Sequence, residues 1–278
     1  MRLSVAPATA PAPATAPAPA TATAPAPATA ARAAAAVAAA LQVPAWLQSS
    51  LDESVAAGQV QSAAWSASNP TGTAQQFDRD VLASIAAPPT GEAEQAELAQ
   101  LRELERRRTT GGIDRAQALA RFAGRDTWDD ALREIGATHG PDQARRAERL
   151  LRVATKRVGV VTNDAKDAFD RLRPYELDPT LTTAVPRPPG NPSHPSGHSS
   201  GAYASALVLA SFLPARTDEL VALAAEVAFS RLYGGVHFAS DVIVGARIAA
   251  RIVADVLHRD AAAAASAAPA ASAALAAA

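Results

Sequence analysis

Two histidines stand four positions apart in NPSHPSGHSS, residues 191–200, and the whole chain has only five. The second, His198, follows Ser196-Gly197 at the expected start of a helix. Unpaired amides point out of a helix N-terminus and favour an anion, and Gly197 lets a ligand approach the backbone closely. A third histidine, His237, lies in SRLYGGVHFASD, residues 230–241, with Arg231 before it and Asp241 four positions after it. A carboxylate at that spacing can take the imidazole Nδ1–H and fix the tautomer. Lys166 and Arg173 lie seven positions apart, two turns on one face if the segment is helical. Each group also has a plainer reading: a solvated cationic stripe, a serine N-cap, a turn histidine, an acidic residue complementing a helix dipole. Together, three cations, a glycine-opened helix start and two histidines are what a tetrahedral oxyanion site with an acid and a nucleophile needs.

These residues must be positioned by helices, because apolar residues recur at three- and four-residue steps from about residue 76 onward and no segment alternates as a strand. The pattern predicts helices over 74–89, 90–109, 112–124 and 126–137. A long helix over 140–174 carries a stripe of Leu150, Val153, Ala154, Val158, Val161, Ala165, Phe169 and Leu172. Gly159 inside it suggests a break or a close approach. A proline-rich loop covers 175–197, a long excursion for an all-helical domain and the kind that tends to carry function. Helices over 199–214, 217–233 and 240–260 follow, with Thr217 and Ser240 as expected N-caps.

Residues 1–45 are largely an Ala/Pro/Thr tract that cannot build a core and is expected to be disordered; residues 261–278 read as an Ala-rich tail. The folded domain is therefore expected over 46–260. The net charge of −1 gives no basic excess for nucleic acid or anionic lipid. With no cysteine there are no disulfides and no thiolate metal sites. No uninterrupted apolar run reaches 18 residues, so stable membrane insertion is not expected. The segment 31–42 resembles at most a poor signal remnant.

Lys166-x6-Arg173-Pro174, then Pro195-Ser196-Gly197-His198, then Ser230-Arg231-x5-His237-x3-Asp241 occur in order and at ordinary separations. This resembles the three-part signature of the type 2 phosphatidic acid phosphatase (PAP2) superfamily, which includes bacterial class A non-specific acid phosphatases and vanadium haloperoxidases. The likeness covers roughly 140–258 and extends loosely to the helices around 81–109. It implies an all-α helical bundle of the acid phosphatase–vanadium haloperoxidase type and a metal-independent phosphomonoester hydrolase without cofactor. Lys166, Arg173, Ser196, Gly197 and Arg231 would hold the phosphoryl group. Gly197 N–H would do so together with the Ser196 hydroxyl or amide. His237 would be the nucleophile, Asp241 its partner, and His198 the general acid. Substrates would be small phosphate monoesters, with a periplasmic or secreted location, and homo-oligomerisation is left open. The alternatives are a vanadium-dependent haloperoxidase, with vanadate on His237, and a soluble phosphatidic acid or lipid phosphatase. Vanadate would otherwise act as an inhibitor. One departure stands out. Class A enzymes commonly carry an aromatic where His194 stands, which suggests a residue at the pocket lip that tunes substrate entry rather than chemistry. His139 and His258 are expected on the surface.

Overall fold

The computed structural model describes residues 41–122 and 125–276. The Ala/Pro/Thr tract and the run 31–40 lie outside them. Ten α-helices follow one another: α1 (Ala45–Ser68), α2 (Ala74–Ala83), α3 (Glu92–Arg106), α4 (Thr110–Phe122), α5 (Arg125–His139), α6 (Pro141–Phe169), the single turn α7 (Pro174–Leu177), α8 (Gly197–Ala210), α9 (Thr217–Tyr233) and α10 (Ala239–Ala276). Among the described residues there is no strand, as the periodicity predicted.

Helix α8 is the centre. It packs on α6, α9 and α10, and Ala202, Tyr203, Ala204, Ala206, Val208 and Leu209 are all buried. Such a helix is apolar nearly all round, which suits an interior position. Its small residues let three neighbours approach. The N-terminus of α8, the last turn of α9 and the first turn of α10 meet at one end of the bundle, where the chemistry-bearing residues lie.

The longest predicted helix ends earlier than expected. Asp170 takes a left-handed conformation, φ 42°, and stops α6 four residues before Pro174. The chain then runs extended to Arg173, so Leu172 leaves the predicted stripe and is 53% exposed. Val153 also faces outward. The helix is unbroken at Gly159, which faces open space. Arg216 rather than Thr217 precedes α9, and α10 begins at Ala239.

The pattern of apolar residues did not reveal α1. Its buried face is Leu47, Leu51, Ser54, Gly58 and Ser62, a helical spacing written mostly in small residues. That face lies on α10. The Ser54 hydroxyl donates to the Ile243 carbonyl at 3.0 Å, and a Cβ at Gly58 would come within 2.9 Å of Ala250 Cβ and the Arg247 carbonyl. The contact is a close backbone approach, not an apolar stripe. At the other end of the chain, the helix of α10 continues through the Ala-rich stretch to Ala276.

Candidate active site

Ser196 caps α8. Its hydroxyl accepts from Ser199 N at 3.4 Å, and its carbonyl accepts from Ser200 N at 3.0 Å. The amides of Gly197 and His198 precede any intrahelical acceptor and remain for a ligand. A Cβ at Gly197 would meet no heavy atom within 4 Å, so the space before this turn is open. The expected Ser196 amide donor is already used: it donates to the Asp241 carbonyl at 2.9 Å. Of the two alternatives for Ser196, only the hydroxyl stays available.

The turn from α9 to α10 supplies a buried histidine–carboxylate pair. His237 Nδ1 lies 3.1 Å from Asp241 Oδ2, and both residues are buried. The carboxylate oxygen must accept, so Nδ1 carries the proton and Nε2 keeps its lone pair. Burial lowers the His237 pKa well below the ordinary histidine value; the Asp241 hydrogen bond opposes this and the Arg173 charge adds to it. His237 is therefore neutral. Burial alone would raise the Asp241 carboxyl. Hydrogen bonds from His194 and His237, and then the charge of Arg171, carry it well below the usual carboxylate range.

Arg231, in the last turn of α9, is 2% exposed, yet its Nε and one terminal nitrogen have no partner. Burial, then the charge of Arg173, lowers its pKa to about 10. A buried guanidinium with idle donors is costly unless an anion completes it.

Arg173 presents the opposite case. Its five N–H donors meet the Asn191 carbonyl at 2.9 Å, the Val236 carbonyl at 2.8 Å, the Asn191 side-chain oxygen at 3.1 Å, the Pro192 carbonyl at 3.2 Å and His237 Nε2 at 2.9 Å. It braces the 186–196 loop and sits on His237 Nε2. It also comes from the extended segment after α6, not from the helix face shared with Lys166. Lys166 ends the buried stripe of α6 and donates to the carbonyls of Pro192 and, at 3.3 Å, Ser193.

The sequence reading missed four neighbours. Arg171 donates to Asp241 Oδ1 at 2.8 Å and to Glu97 at 2.9 Å, and lies over the Phe238 ring. Glu97, on α3, also accepts from the Ser240 amide and hydroxyl. The Ser193 hydroxyl donates to Asp241 Oδ2 at 2.6 Å. Arg171 gave no signal, because the apolar stripe carries the expected helix of 140–174 past it. Glu97 offered none, because its partners lie far along the chain.

The fourth is His194, and here the expectation of a pocket-lip residue is overturned. It is 1% exposed. Nδ1 lies 3.2 Å from Asp241 Oδ1, Nε2 lies 3.2 Å from the Ala86 carbonyl, and the ring packs edge-on to Phe169. The loop turns this side chain inward against Asp241. His139 and His258 are exposed, as expected.

His198 Nε2 donates to the Ala120 carbonyl at 3.1 Å. Burial, then the Arg231 charge, lowers its pKa to about 4. With Arg231 it lines a cleft of about 580 Å³ walled by Gln117, Val185, Pro186 and Pro188. His237 is buried, and its Nε2 is covered by Arg173 at 2.9 Å.

Burial, then the Arg173 charge, brings Lys166 down to about 7 from an ordinary 10.5. The folded protein thus binds fewer protons than the unfolded chain between those values, and stability rises with pH across that window. An anion in the site restores the charge. Sulfate has no proton to exchange near neutrality. Its binding at about pH 8 is expected to take up to about one proton, read by calorimetry in two buffers of unequal ionisation enthalpy. Lys166→Met should abolish the uptake, and binding without proton exchange in the native protein would contradict it.

Comparison with known proteins fits this geometry. Residues 150–262 match the PAP2 superfamily. A non-specific acid phosphatase of Providencia stuartii is 37% identical over 98 residues, 34% of this chain and 38% of that protein, so the chain spans less than two fifths of that relative's length. The structure of a bacterial vanadium-dependent iodoperoxidase superposes with a TM-score of 0.53 at 20% identity, over 67% of this chain and 54% of that one. A transmembrane PAP2-type phosphatidylglycerolphosphate phosphatase from Bacillus subtilis aligns over 67% of this chain and 94% of its own, with a TM-score of 0.49 at 21% identity. Among the described residues, no helix is long and apolar enough to cross a membrane. The matched span holds Lys166, Arg173, the Ser196–His198 turn, Arg231, His237 and Asp241, and over it the chain is similar to the PAP2 superfamily.

Proposed function

We propose that the protein is an acid phosphatase that hydrolyses small phosphate monoesters through a phosphohistidine intermediate, without a metal. The observation that carries this is His237: buried, neutral, its Nδ1–H held by Asp241 and its Nε2 lone pair turned toward the cations. A phosphoryl group entering past His198 would meet the idle donors of Arg231 and the Gly197 and His198 amides. Arg173 would then exchange its contact with Nε2 for a phosphoryl oxygen, and Lys166 would add a point charge.

Nε2 attacks phosphorus as the ester P–O bond breaks, and protonated His198 gives its proton to the leaving oxygen. The phosphorylated His237 ring is cationic and is stabilised by Asp241. Neutral His198 then takes a proton from water as that water attacks phosphorus, the P–N bond breaks, and phosphate leaves. The three cations and the helix start supply the charge stabilisation that a metal supplies elsewhere. Vanadate, a copy of the five-coordinate phosphorus, would occupy the same groups as an inhibitor.

The acid character follows from His198. With a pKa of about 4 in the free protein, it holds the required proton only at acidic pH, while His237 is already neutral there. Once corrected for the second ionisation of the substrate near 6, kcat/KM for p-nitrophenyl phosphate is expected to fall up to about tenfold per pH unit on the alkaline side. Turnover should persist in EDTA and be blocked by orthovanadate. A rate lost in EDTA, a kcat/KM that climbs from pH 6 to 8, or vanadate-dependent halide oxidation in place of hydrolysis would overturn the reading. A periplasmic or secreted location is part of the proposal, compatible with a chain that has no cysteine, and osmotic-shock fractionation tests it.

A further inference from the structure

Asp241 is a fully buried carboxylate that receives five donors. Arg171 and His194 face Oδ1; Ser193, His237 and the Phe238 amide face Oδ2. Four of these have one proton assignment. His194 does not, because each of its ring nitrogens faces an acceptor: Nδ1 the carboxylate, Nε2 the Ala86 carbonyl, both at 3.2 Å. A neutral imidazole has one N–H and one lone pair. Either neutral tautomer would set a lone pair against an oxygen lone pair inside a site that is 1% exposed, at separations of 3.2 Å that leave no room for a bridging water. Only the imidazolium satisfies both contacts.

We propose that His194 is held as an imidazolium and acts as a positioning residue. Its two N–H groups tie Asp241 to the backbone at Ala86, and through Asp241 they fix the orientation of the nucleophile His237. It touches neither substrate nor reacting atom, since Asp241 stands between. With Arg171 and His194 both on Oδ1, the carboxylate cannot rotate, and Oδ2 stays in place for His237 Nδ1.

The charges around it are consistent with this. From α10 it faces Asp241. From the segment after α6 comes Arg171, whose own charge is shared with Glu97 and Glu94 of α3. From α6 it meets the uncharged Phe169 ring. From the segment after α2 it meets the Ala86 carbonyl. Arg247 and Arg251 of α10 share a small cavity with Ala86, and His237 beyond Asp241 is neutral. The cations Arg171 and His194 are thus set against Asp241 and Glu97.

The role in catalysis rests on the phosphohistidine reading, so the test has one arm that does not use activity. In the full chain with 15N-labelled histidine, at about pH 7.5 and so roughly one unit above the reference histidine value, NMR should show directly bonded protons on both ring nitrogens of His194. The signal is assigned by its loss in His194→Asn. A single N–H would overturn the proposal even if the enzyme is active, and a doubly protonated ring supports it even if no phosphatase activity is found. The kinetic arm uses two variants. His194→Phe keeps the ring against Phe169 and removes both donors. It is expected to lower kcat by about 10- to 100-fold, as loss of a group that orients a reacting residue does elsewhere, with KM changed less than about threefold. His194→Asn places one donor near Oδ1 and should regain at least about threefold of that loss. A folded Phe variant within about twofold of the native kcat, or an Asn variant no faster than Phe, would overturn the positioning role. If the Phe variant does not fold, the Asn variant and the NMR arm decide.

Discussion

Replacing His237 by alanine is expected to lower kcat for p-nitrophenyl phosphate on the order of 10⁴-fold or more, the scale seen when a covalent nucleophile is removed. No neighbour can substitute. His194 points into Asp241 and the backbone, and His198 Nε2 points at Ala120. The variant should still bind orthovanadate or phosphate, because the idle donors of Arg231 and the α8 amides are untouched. It should fold, since Asp241 Oδ2 keeps Ser193 and the Phe238 amide. A second readout is direct. Enzyme mixed with a labelled phosphate ester and quenched in alkali should retain label on protein, and acid should release it, because a P–N bond is acid-labile. The alanine variant should retain none. Residual activity within a hundredfold of native in a folded protein would place the nucleophile elsewhere.

Asp241→Asn changes less volume but disturbs more. The carboxylate is surrounded only by donors. An amide must turn its NH₂ either toward Arg171 and His194 or toward Ser193, the Phe238 amide and His237, so donor meets donor in either orientation. In the second, His237 is pushed to the Nε2–H tautomer and loses its attacking lone pair. In the first it keeps the tautomer but loses the negative charge that stabilises the phosphorylated ring. We expect kcat to fall about 10³- to 10⁴-fold, as it does when a triad carboxylate becomes an amide.

Stability should fall as well, by roughly 3–5 kcal/mol, because buried Arg171 and His194 lose a counter-charge. The sign with pH can be read separately. The Asp241 carboxyl is held well below its ordinary value in the fold, so it stabilises above about pH 4 and that contribution is lost as pH falls. The native and Asn proteins should therefore approach one another in denaturation midpoint as the solution is acidified. A folded Asn variant of native stability at neutral pH, or one with kcat within tenfold of native, would contradict the network.

The clustering of the candidate residues was legible in the sequence because it rests on local arrangements. His237 and Asp241 are one helical turn apart, so their contact follows from spacing once a helix starts between them. Ser196-Gly197-His198 declares a helix start through its own cap. The helices from residue 74 onward, except at their ends, follow from apolar residues at helical spacing. The non-helical stretch 170–173 reads as helix because Leu172 falls on the stripe, and the left-handed Asp170 that ends α6 leaves no periodic signature.

The sequence by itself thus determined the fold class, the contact of His237 with Asp241, the cations near that pair and the helix start that faces them. Only the tertiary structure decided what each cation does. Arg173 is saturated and Arg231 is idle, a difference that depends on the proline-rich loop and cannot be read from two arginines in a row of letters. Helix α1, Glu97 and His194 entered the same way. Ser54 meets Ile243 across 189 residues, Glu97 meets Ser240 across 143, and His194 meets Asp241 across 47. Periodicity reports which face of a helix is apolar. It carries no record of which distant polar group that face, or a loop folded back over it, will be required to satisfy.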